Sequence, residues 1–142
     1  MVNSVVLVGR LTADPEMRYT PNGVAVTSFR LAVNRPARRD QPEERQADFI
    51  DIVAWRQQAE FCGNYLNKGA LVCVEGRIQV RNWETQDGQR RRTVEVVAFR
   101  VTALESRAAR ERREQTGVEA PTEAGPADEE APPPPADPFA NE

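Results

Sequence analysis

Apolar residues of the first 104 positions fall into five runs whose alternation or β-branched content is typical of strands. The predicted strands span residues 4–11, 24–34, 48–55, 70–83 and 93–104. A helix is predicted between the third and fourth strands, over 57–66. There Ala59, Cys62, Tyr65 and Leu66 recur at helical spacing, and Asn67-Lys68-Gly69 provides an end signal.

Turn signals separate these elements. Thr20-Pro21-Asn22-Gly23 and Asp87-Gly88 predict tight turns, because Pro fixes φ and the Asn-Gly or Asp-Gly pair tolerates positive φ. The stretch 35–46 has two prolines and charges of both signs, which predicts a long loop. In the second strand the apolar positions are even at Val24 and Val26 but odd from Phe29 onward. This switch predicts a bulge or sharp bend.

Alternation also predicts which side of each strand faces the core. In the third strand Ile50, Ile52 and Ala54 share one face, and the other carries Phe49, Asp51, Val53 and Trp55. In the fourth strand the apolar face carries Val72, Val74, Ile78 and Val80, and the opposite face carries Glu75, Arg77, Gln79, Arg81 and Trp83. The pattern therefore predicts that the charged faces of these strands look outward.

Five strands with one helix between the third and fourth is the layout of an OB-fold barrel. We therefore predict an all-β fold, a five-stranded OB barrel in residues 1–104 followed by a tail in 105–142. The tail begins with a short stretch of helical character at 107–113. It then becomes rich in Pro, Glu and Ala, with four consecutive prolines at 132–135, a composition that predicts disorder.

Charge is divided unevenly along the chain. Residues 1–104 hold 15 Lys and Arg against 12 acids, and residues 105–142 hold 4 Arg against 10 acids. The net charge of −3 is thus compatible with a polyanionic partner of the barrel. No signal peptide or membrane span is recognisable, so a soluble, cytoplasmic protein without membrane contact is expected.

Catalytic and metal chemistry lack candidate residues in this sequence. The chain has no histidine, and Cys62 and Cys73 have a spacing that fits neither a redox pair nor a zinc site. Neither a nucleophile elbow nor a phosphate-binding glycine loop is present. We therefore expect a protein that is not an enzyme and has no metal or cofactor, with both cysteines acting as small apolar residues.

Aromatic and basic residues instead indicate a binding surface. Trp83 shares a charged strand face with Arg77 and Arg81, and an aromatic among arginines can stack a base while the arginines neutralise phosphates. Phe49 and Trp55 share a face of the third strand about 20 Å apart, enough for two stacking sites. The alternative is that these aromatics pack within the protein, with Val53 in a subunit contact.

Arginines are numerous in the two longest connections. Arg35, Arg38, Arg39 and Arg45 lie in or beside the 35–46 loop, and Arg90, Arg91 and Arg92 are consecutive in the hairpin over 84–92. Scattered arginines commonly serve solubility alone. Three in a row repel one another unless a polyanion is expected, which favours nucleic acid.

With these residues in view, the chain resembles the bacterial single-stranded DNA-binding proteins. The matching segments span about the first 104 residues and include Val8-Gly9-Arg10-Leu11, Arg18-Tyr19-Thr20-Pro21-Asn22-Gly23, Ala54-Trp55-Arg56-Gln57, Glu75-Gly76-Arg77-Ile78 and Arg81-Asn82-Trp83-Glu84. The resemblance implies an OB-fold that forms a homotetramer and wraps single-stranded DNA, with stacking aromatics at Phe49, Trp55 and Trp83. A fourth aromatic of some members falls near Ala37 and is absent here. The predicted DNA-binding residues are Phe49, Trp55, Trp83, Arg10, Arg35, Arg38, Arg56, Arg77, Arg81, Arg90, Arg91 and Arg92.

The same resemblance implies a function for the tail. Family members typically end in an acidic run followed by Pro-Phe, which docks into replication and repair proteins. Here Asp137-Pro138-Phe139 is followed by Ala140-Asn141-Glu142, so a partner that reads the carboxylate of a terminal Phe would lose it. The alternatives are recruitment through Asp137, Pro138 and Phe139 or an inert solubilising tail.

The leading hypothesis is sequence-independent binding and protection of single-stranded DNA in replication, repair and recombination. A second is a small OB-fold accessory factor of replication restart, which the Pro-rich acidic tail disfavours. A third is an OB-fold used as a protein-interaction scaffold, for which Trp83 and the three consecutive arginines would be dispensable. A nuclease is the hypothesis with least support. Exposed β-branched positions of the first strand, such as Val6 and Val8, are candidates for a subunit contact.

Overall fold

The computed structural model describes residues 1–36, 39–40 and 46–116, which form six strands and two helices. The strands are β1 (Val5–Leu11), β2 (Glu16–Tyr19), β3 (Ala25–Asn34), β4 (Ala47–Trp55), β5 (Leu71–Glu84) and β6 (Arg90–Ala103). The helices are α1 (Gln57–Tyr65) and α2 (Arg107–Thr116). Of the tail predicted to be disordered over 105–142, residues 107–116 form α2, which includes the stretch of helical character predicted at 107–113. Residues 117–142, with Asp137, Pro138 and Phe139, lie outside the described residues.

The strands form one sheet in the order β1-β5-β6-β4-β3-β2, and additional pairing of β1 with β3 closes it into a barrel. Every pairing is antiparallel except that of β4 with β6. α1 connects β4 to β5, as predicted. The chain therefore has the predicted OB-fold, with all five predicted strands present.

β2 is an additional strand that the sequence pattern did not indicate. Its residues Glu-Met-Arg-Tyr alternate polar and apolar but number only four, and it pairs with β3 alone. Met17 packs closely on α1: a Cβ at Gly63 would lie 2.8 Å from the Met17 sulfur. The predicted turn after it is confirmed, with Gly23 at φ +80° and its N–H donating to the Thr20 carbonyl.

The core fills the barrel with aliphatic side chains from every long strand. Leu11, Leu31, Ile52, Val72 and Val74 are fully buried. α1 closes one end of the barrel with Ala59, Cys62 and Leu66, whereas Tyr65, predicted on the same buried side, is 66% exposed. The hydroxyl of buried Thr27 donates to the Ala59 carbonyl at 2.7 Å and so ties β3 to α1.

The bulge predicted in the second strand is wrong. β3 pairs with β4 in unbroken register from Val26, opposite Trp55, to Asn34, opposite Ala47. Val24 and Val26 instead join a second, smaller apolar cluster, so apolar residues occur on both faces of β3. The bulge lies between β5 and β6, where Gly76 faces Ala98 and Phe99 is the extra residue.

Ile78 and Val80 are also not core residues, although they share a face with Val72 and Val74. They are 45% and 42% exposed. β1 pairs with β5 only as far as Gly76, and β4 pairs with β6 only from Glu95. Beyond these points the two strands form a two-stranded ribbon that ends in the predicted turn at Gly88. No other strand of the described residues pairs with this ribbon, and its apolar side stays exposed.

α2 packs against the barrel through charged groups. The Arg113 side chain is 8% exposed and pairs with Glu105, which also pairs with Arg10 of β1. Arg110 donates to the Tyr65 carbonyl at 2.7 Å. Residues of α2 thus contact the barrel, and the domain boundary predicted after Leu104 remains a prediction. Neither of the helices in the described part of the chain is long and apolar enough to cross a membrane.

Candidate nucleic-acid interface

The side of β3, β4, β5 and β6 that points away from the core forms a continuous surface, here called the outer face. Strand register determines its rows: Arg30 of β3 lies opposite Asp51 of β4, which lies opposite Glu95 of β6. The next row contains Ser28, Val53, Val97 and Arg77. Residues far apart in sequence thus become lateral neighbours on one surface.

Trp83 lies on the outer face at the ribbon end of β5. It is half-buried, opposite Arg91 of β6, and its indole Nε1 donates to the Thr93 hydroxyl at 2.9 Å. This hydrogen bond fixes the ring relative to β6. The arrangement gives an oriented aromatic group whose cross-strand neighbour is an arginine, as base stacking next to a phosphate requires.

Phe49 and Trp55, at opposite ends of β4, differ in exposure. Phe49 is half-buried and lies opposite Ala32. Trp55 is only 4% exposed, because it packs with Val26, Val53 and Val97 in the second apolar cluster. The structure therefore brings both onto the outer face as predicted, and Trp55 has the packing role that was left as an alternative.

The central charges of the outer face are paired. Arg30 Nε lies 2.8 Å from Asp51, and Arg81 Nε lies 3.0 Å from Glu95. Glu95 is 3% exposed, and burial raises the pKa of its carboxyl above the ordinary value while Arg81 acts in the opposite direction. Arg77 is half-buried on the same face. Glu95 was not among the predicted site residues, although its alternation with Thr93 and Val97 places it on this face.

The three consecutive arginines do not share one surface. Arg91 faces outward beside Trp83, whereas Arg90 and Arg92 lie opposite Glu84 and Asn82 on the reverse side of the ribbon. Arg90 has 92% of its side chain accessible and a carboxylate of Glu84 at 3.8 Å. The alternation of β6 therefore separates this run into two directions.

Arg35 stands where the loop after β3 begins. Its guanidinium donates to both carboxylate oxygens of Asp48, at 2.6 to 3.0 Å, and to Gln46 at 3.0 Å. These hydrogen bonds lower the pKa of Asp48 and raise the pKa of Arg35. The pair joins the two ends of the loop, and Arg38 lies outside the described residues.

Arg56 and Arg10 have special positions. Arg56 follows Trp55 directly and has φ +58°, a strained value for a residue with a side chain. Arg10 lies opposite Ala32, in the same row as Phe49, but its guanidinium donates to the Gly69 carbonyl and to Glu105 beside α2. Both arginines thus border the outer face, and the guanidinium of Arg10 is held there by the Gly69 carbonyl and by Glu105.

Comparison with known proteins gives a consistent result. The sequence model of the single-strand binding protein family matches residues 2–104. A single-stranded DNA-binding protein of Bacillus cereus is 60% identical over 107 residues, which are 75% of this chain and 62% of the relative, so the match spans less than two thirds of that protein. A single-stranded DNA-binding protein of Streptococcus pneumoniae is 53% identical over 122 residues, or 86% of this chain and 78% of the relative. The chain, with its OB barrel and aromatic outer face, belongs to the single-strand binding protein family.

Proposed function

We propose that this chain binds single-stranded DNA without sequence preference on its outer face and protects it during replication, repair and recombination in the cytoplasm. The observation that carries the proposal is the position of Trp83, oriented by Thr93 and flanked by Arg91, on an OB barrel of this family. The mechanism is binding, with no bond made or broken.

Two kinds of contact account for such binding. The rings of Trp83 and Phe49 stack on bases, which is sequence-tolerant because every base has a π face. Arg77, Arg91 and the loop arginines neutralise phosphates, and counterion release makes this part salt-dependent. Neither contact reads the hydrogen-bonding edge of a base, so the interface has no means of preferring one sequence.

The test is a titration with oligo(dT) followed by tryptophan fluorescence at low and high salt. The chain contains only two tryptophans, so each signal can be assigned by substitution. We expect strong, salt-sensitive quenching in the unmodified protein and a loss of about 1–3 kcal/mol of binding free energy in Trp83→Ala. Tyr65→Ala, which removes an aromatic 66% exposed on α1, is the matched control and should bind normally.

A further variant separates the two tryptophans. Trp83→Phe keeps a stacking ring and leaves Trp55 as the only reporter. Quenching in this variant would place DNA against Trp55, although the second apolar cluster largely covers that ring. Tight binding without quenching would instead assign the DNA contact to Trp83. If the unmodified protein neither quenches nor shifts in a gel at low salt, the proposed function is rejected in favour of a protein-interaction scaffold.

We also propose that the chain acts as a homotetramer. Val6 and Val8 are 64% and 49% exposed on β1, and the extra residue of the bulge, Phe99, is 53% exposed. From Val5 to Gly9, β1 pairs with β5 but with no second described strand, so this apolar edge is available for another copy. Sedimentation of a Val6→Lys, Val8→Lys double variant should show a smaller species than the unmodified protein.

The tail is proposed to recruit replication and repair proteins through Asp137, Pro138 and Phe139. Its chemistry, an acidic residue before Pro-Phe, fits a basic pocket with an apolar floor. A chain ending at Ala136 should keep its affinity for oligo(dT) but lose binding to such proteins. If the full chain and the chain ending at Ala136 bound such proteins equally well, the tail would be a solubilising segment only.

A further inference from the structure

Two carboxylates lie side by side at the centre of the outer face. Asp51 and Glu95 are direct Cα partners in the parallel pair of β4 and β6, so their side chains point to the same side. Each carboxylate has one close arginine, Arg30 at 2.8 Å from Asp51 and Arg81 at 3.0 Å from Glu95. The cluster is electrically balanced only while both arginines remain with their carboxylates.

The two carboxylates differ in their access to water. Glu95 is 3% exposed, whereas the side chain of Asp51 is 40% exposed. Burial raises the pKa of Glu95, Arg81 lowers it, and the charge of Asp51 raises it further. The groups next to Glu95 on neighbouring strands are Asp51 of β4 and Arg81 and Gln79 of β5. Two further arginines are more distant: Arg77 lies one row away, and Arg30 lies on the far side of Asp51. On β6 itself the neighbours of Glu95 on this face are the uncharged Thr93 and Val97.

We propose that Glu95 takes up one proton from solvent when single-stranded DNA binds, which releases Arg81 to a phosphate of the DNA. The inference rests on the proposed function. Bound DNA brings further negative charge to a face that already holds two adjacent carboxylates, and this favours the neutral form of the buried one. A protonated Glu95 no longer requires the guanidinium of Arg81, so the arginine can form a charge-assisted hydrogen bond with the phosphate.

The composition of the chain makes this proton easy to observe. The protein contains no histidine, so between about pH 5.5 and about pH 7 no side chain titrates at its ordinary pKa. Thymine has no titrating group in that range either, which makes oligo(dT) the suitable ligand. At about pH 6 an α-amino group of ordinary pKa is already protonated, so proton uptake there reports a carboxyl group with a raised pKa.

The experiment is isothermal calorimetry of the full chain with oligo(dT) at about pH 6, in two buffers of different ionisation enthalpy and at one salt concentration. The difference between the two binding enthalpies gives the number of protons taken up. We expect net uptake in the unmodified protein and none in Glu95→Gln. Glu60→Gln, which changes an exposed carboxyl on α1, should behave as the unmodified protein.

Affinity provides the second readout. Uptake of one proton per bound chain makes the unmodified protein bind up to about tenfold more tightly for each pH unit of acidification. Glu95→Gln should lack this dependence and, at about pH 7, bind more tightly than the unmodified protein.

Tight binding without proton uptake by the unmodified protein would overturn the proposal and leave the proposed function intact, and this arm requires no variant to fold. Equal uptake in Glu95→Gln would place the proton elsewhere and also overturn it. Failure of the unmodified protein to bind at any pH would instead reject the proposed function.

Discussion

Gly76 is a position where the barrel leaves no room for a side chain. It lies at the bulge between β5 and β6, and a Cβ built there would be 2.2 Å from the Val97 carbonyl oxygen and 3.0 Å from the Ala98 Cα. An ordinary contact begins at 3.4 Å. Because the obstructing atoms are backbone, Gly76→Ala requires the two strands to separate by about 1 Å.

The size of the effect follows from what such a separation breaks. Two or three ladder hydrogen bonds beside the bulge would be stretched beyond useful length, at about 1 kcal/mol each. Overpacking a well-filled site has a similar cost, about 1–3 kcal/mol. We therefore expect Gly76→Ala to lower the free energy of unfolding by about 3 kcal/mol, which corresponds to a decrease in Tm of about 15 °C for a domain of this size.

Urea unfolding followed by the fluorescence of buried Trp55 measures this loss, with all variants at the same protein concentration because assembly contributes to stability. Gly23→Ala is the matched control. Gly23 has φ +80° but no atom within 4 Å of its built Cβ, so it reports backbone strain alone, about 1 kcal/mol. If both variants lose the same stability, close approach of β6 to Gly76 is not what requires glycine there.

Four further predictions follow from burial and charge. Trp55→Ala should cost about 3–5 kcal/mol in urea unfolding, because Trp55 fills the second apolar cluster, and Trp83→Ala should cost clearly less; similar losses would contradict the difference in packing. Burial acts to raise the pKa of Glu105, but Arg10 and Arg113 hold it below the ordinary value. The stability from these ion pairs is therefore present above about pH 4.3 and is lost as pH falls further. In Glu105→Gln the free energy of unfolding should therefore decrease less on acidification than in the unmodified protein, and an equal decrease in both would refute this. Burial raises the pKa of Cys62 to about 12, so iodoacetamide should label Cys73 alone in the native protein and both thiols after unfolding. A chain ending at Leu104 loses Glu105 and Arg113 and should unfold at lower urea than one ending at Thr116, unless α2 adds nothing to the barrel.

The strands could be predicted because their β-branched residues alternate with polar ones, and this pattern is local. β2 was not predicted because the alternation of Glu16–Tyr19 covers only four residues, which is too short to indicate a strand without knowledge of its partner β3. Ile78 and Val80 are exposed because the neighbouring strands end before they reach them, and where a strand ends is a property of the whole sheet. A local pattern therefore gives the face of a residue but not whether another strand covers that face.

The same distinction applies to the candidate site. Alternation placed Trp83, Arg77 and Arg81 on one face correctly. It could not show that Trp55 is covered by valines of β3 and β6, because those contacts are made across the sheet. Nor could it show that Asp51 and Glu95 adjoin, since parallel pairing of β4 with β6 joins strands that α1 and β5 separate in sequence.

The parallel pairing of β4 with β6 also has a consequence for how the protein is made. Among the described strands, β3–β4 and β5–β6 are pairs of sequence neighbours that can form early, whereas β4 and β6 meet only after the intervening chain has been ordered. Pairing of β4 with β6 is then a slow, non-local step of folding. Val53 meets Val97, and Asp51 meets Glu95, only when β4 pairs with β6. A partly folded chain in which these strands are still apart therefore lacks the outer face. A ligand of that face consequently binds the closed barrel alone and draws newly made chains toward it by mass action.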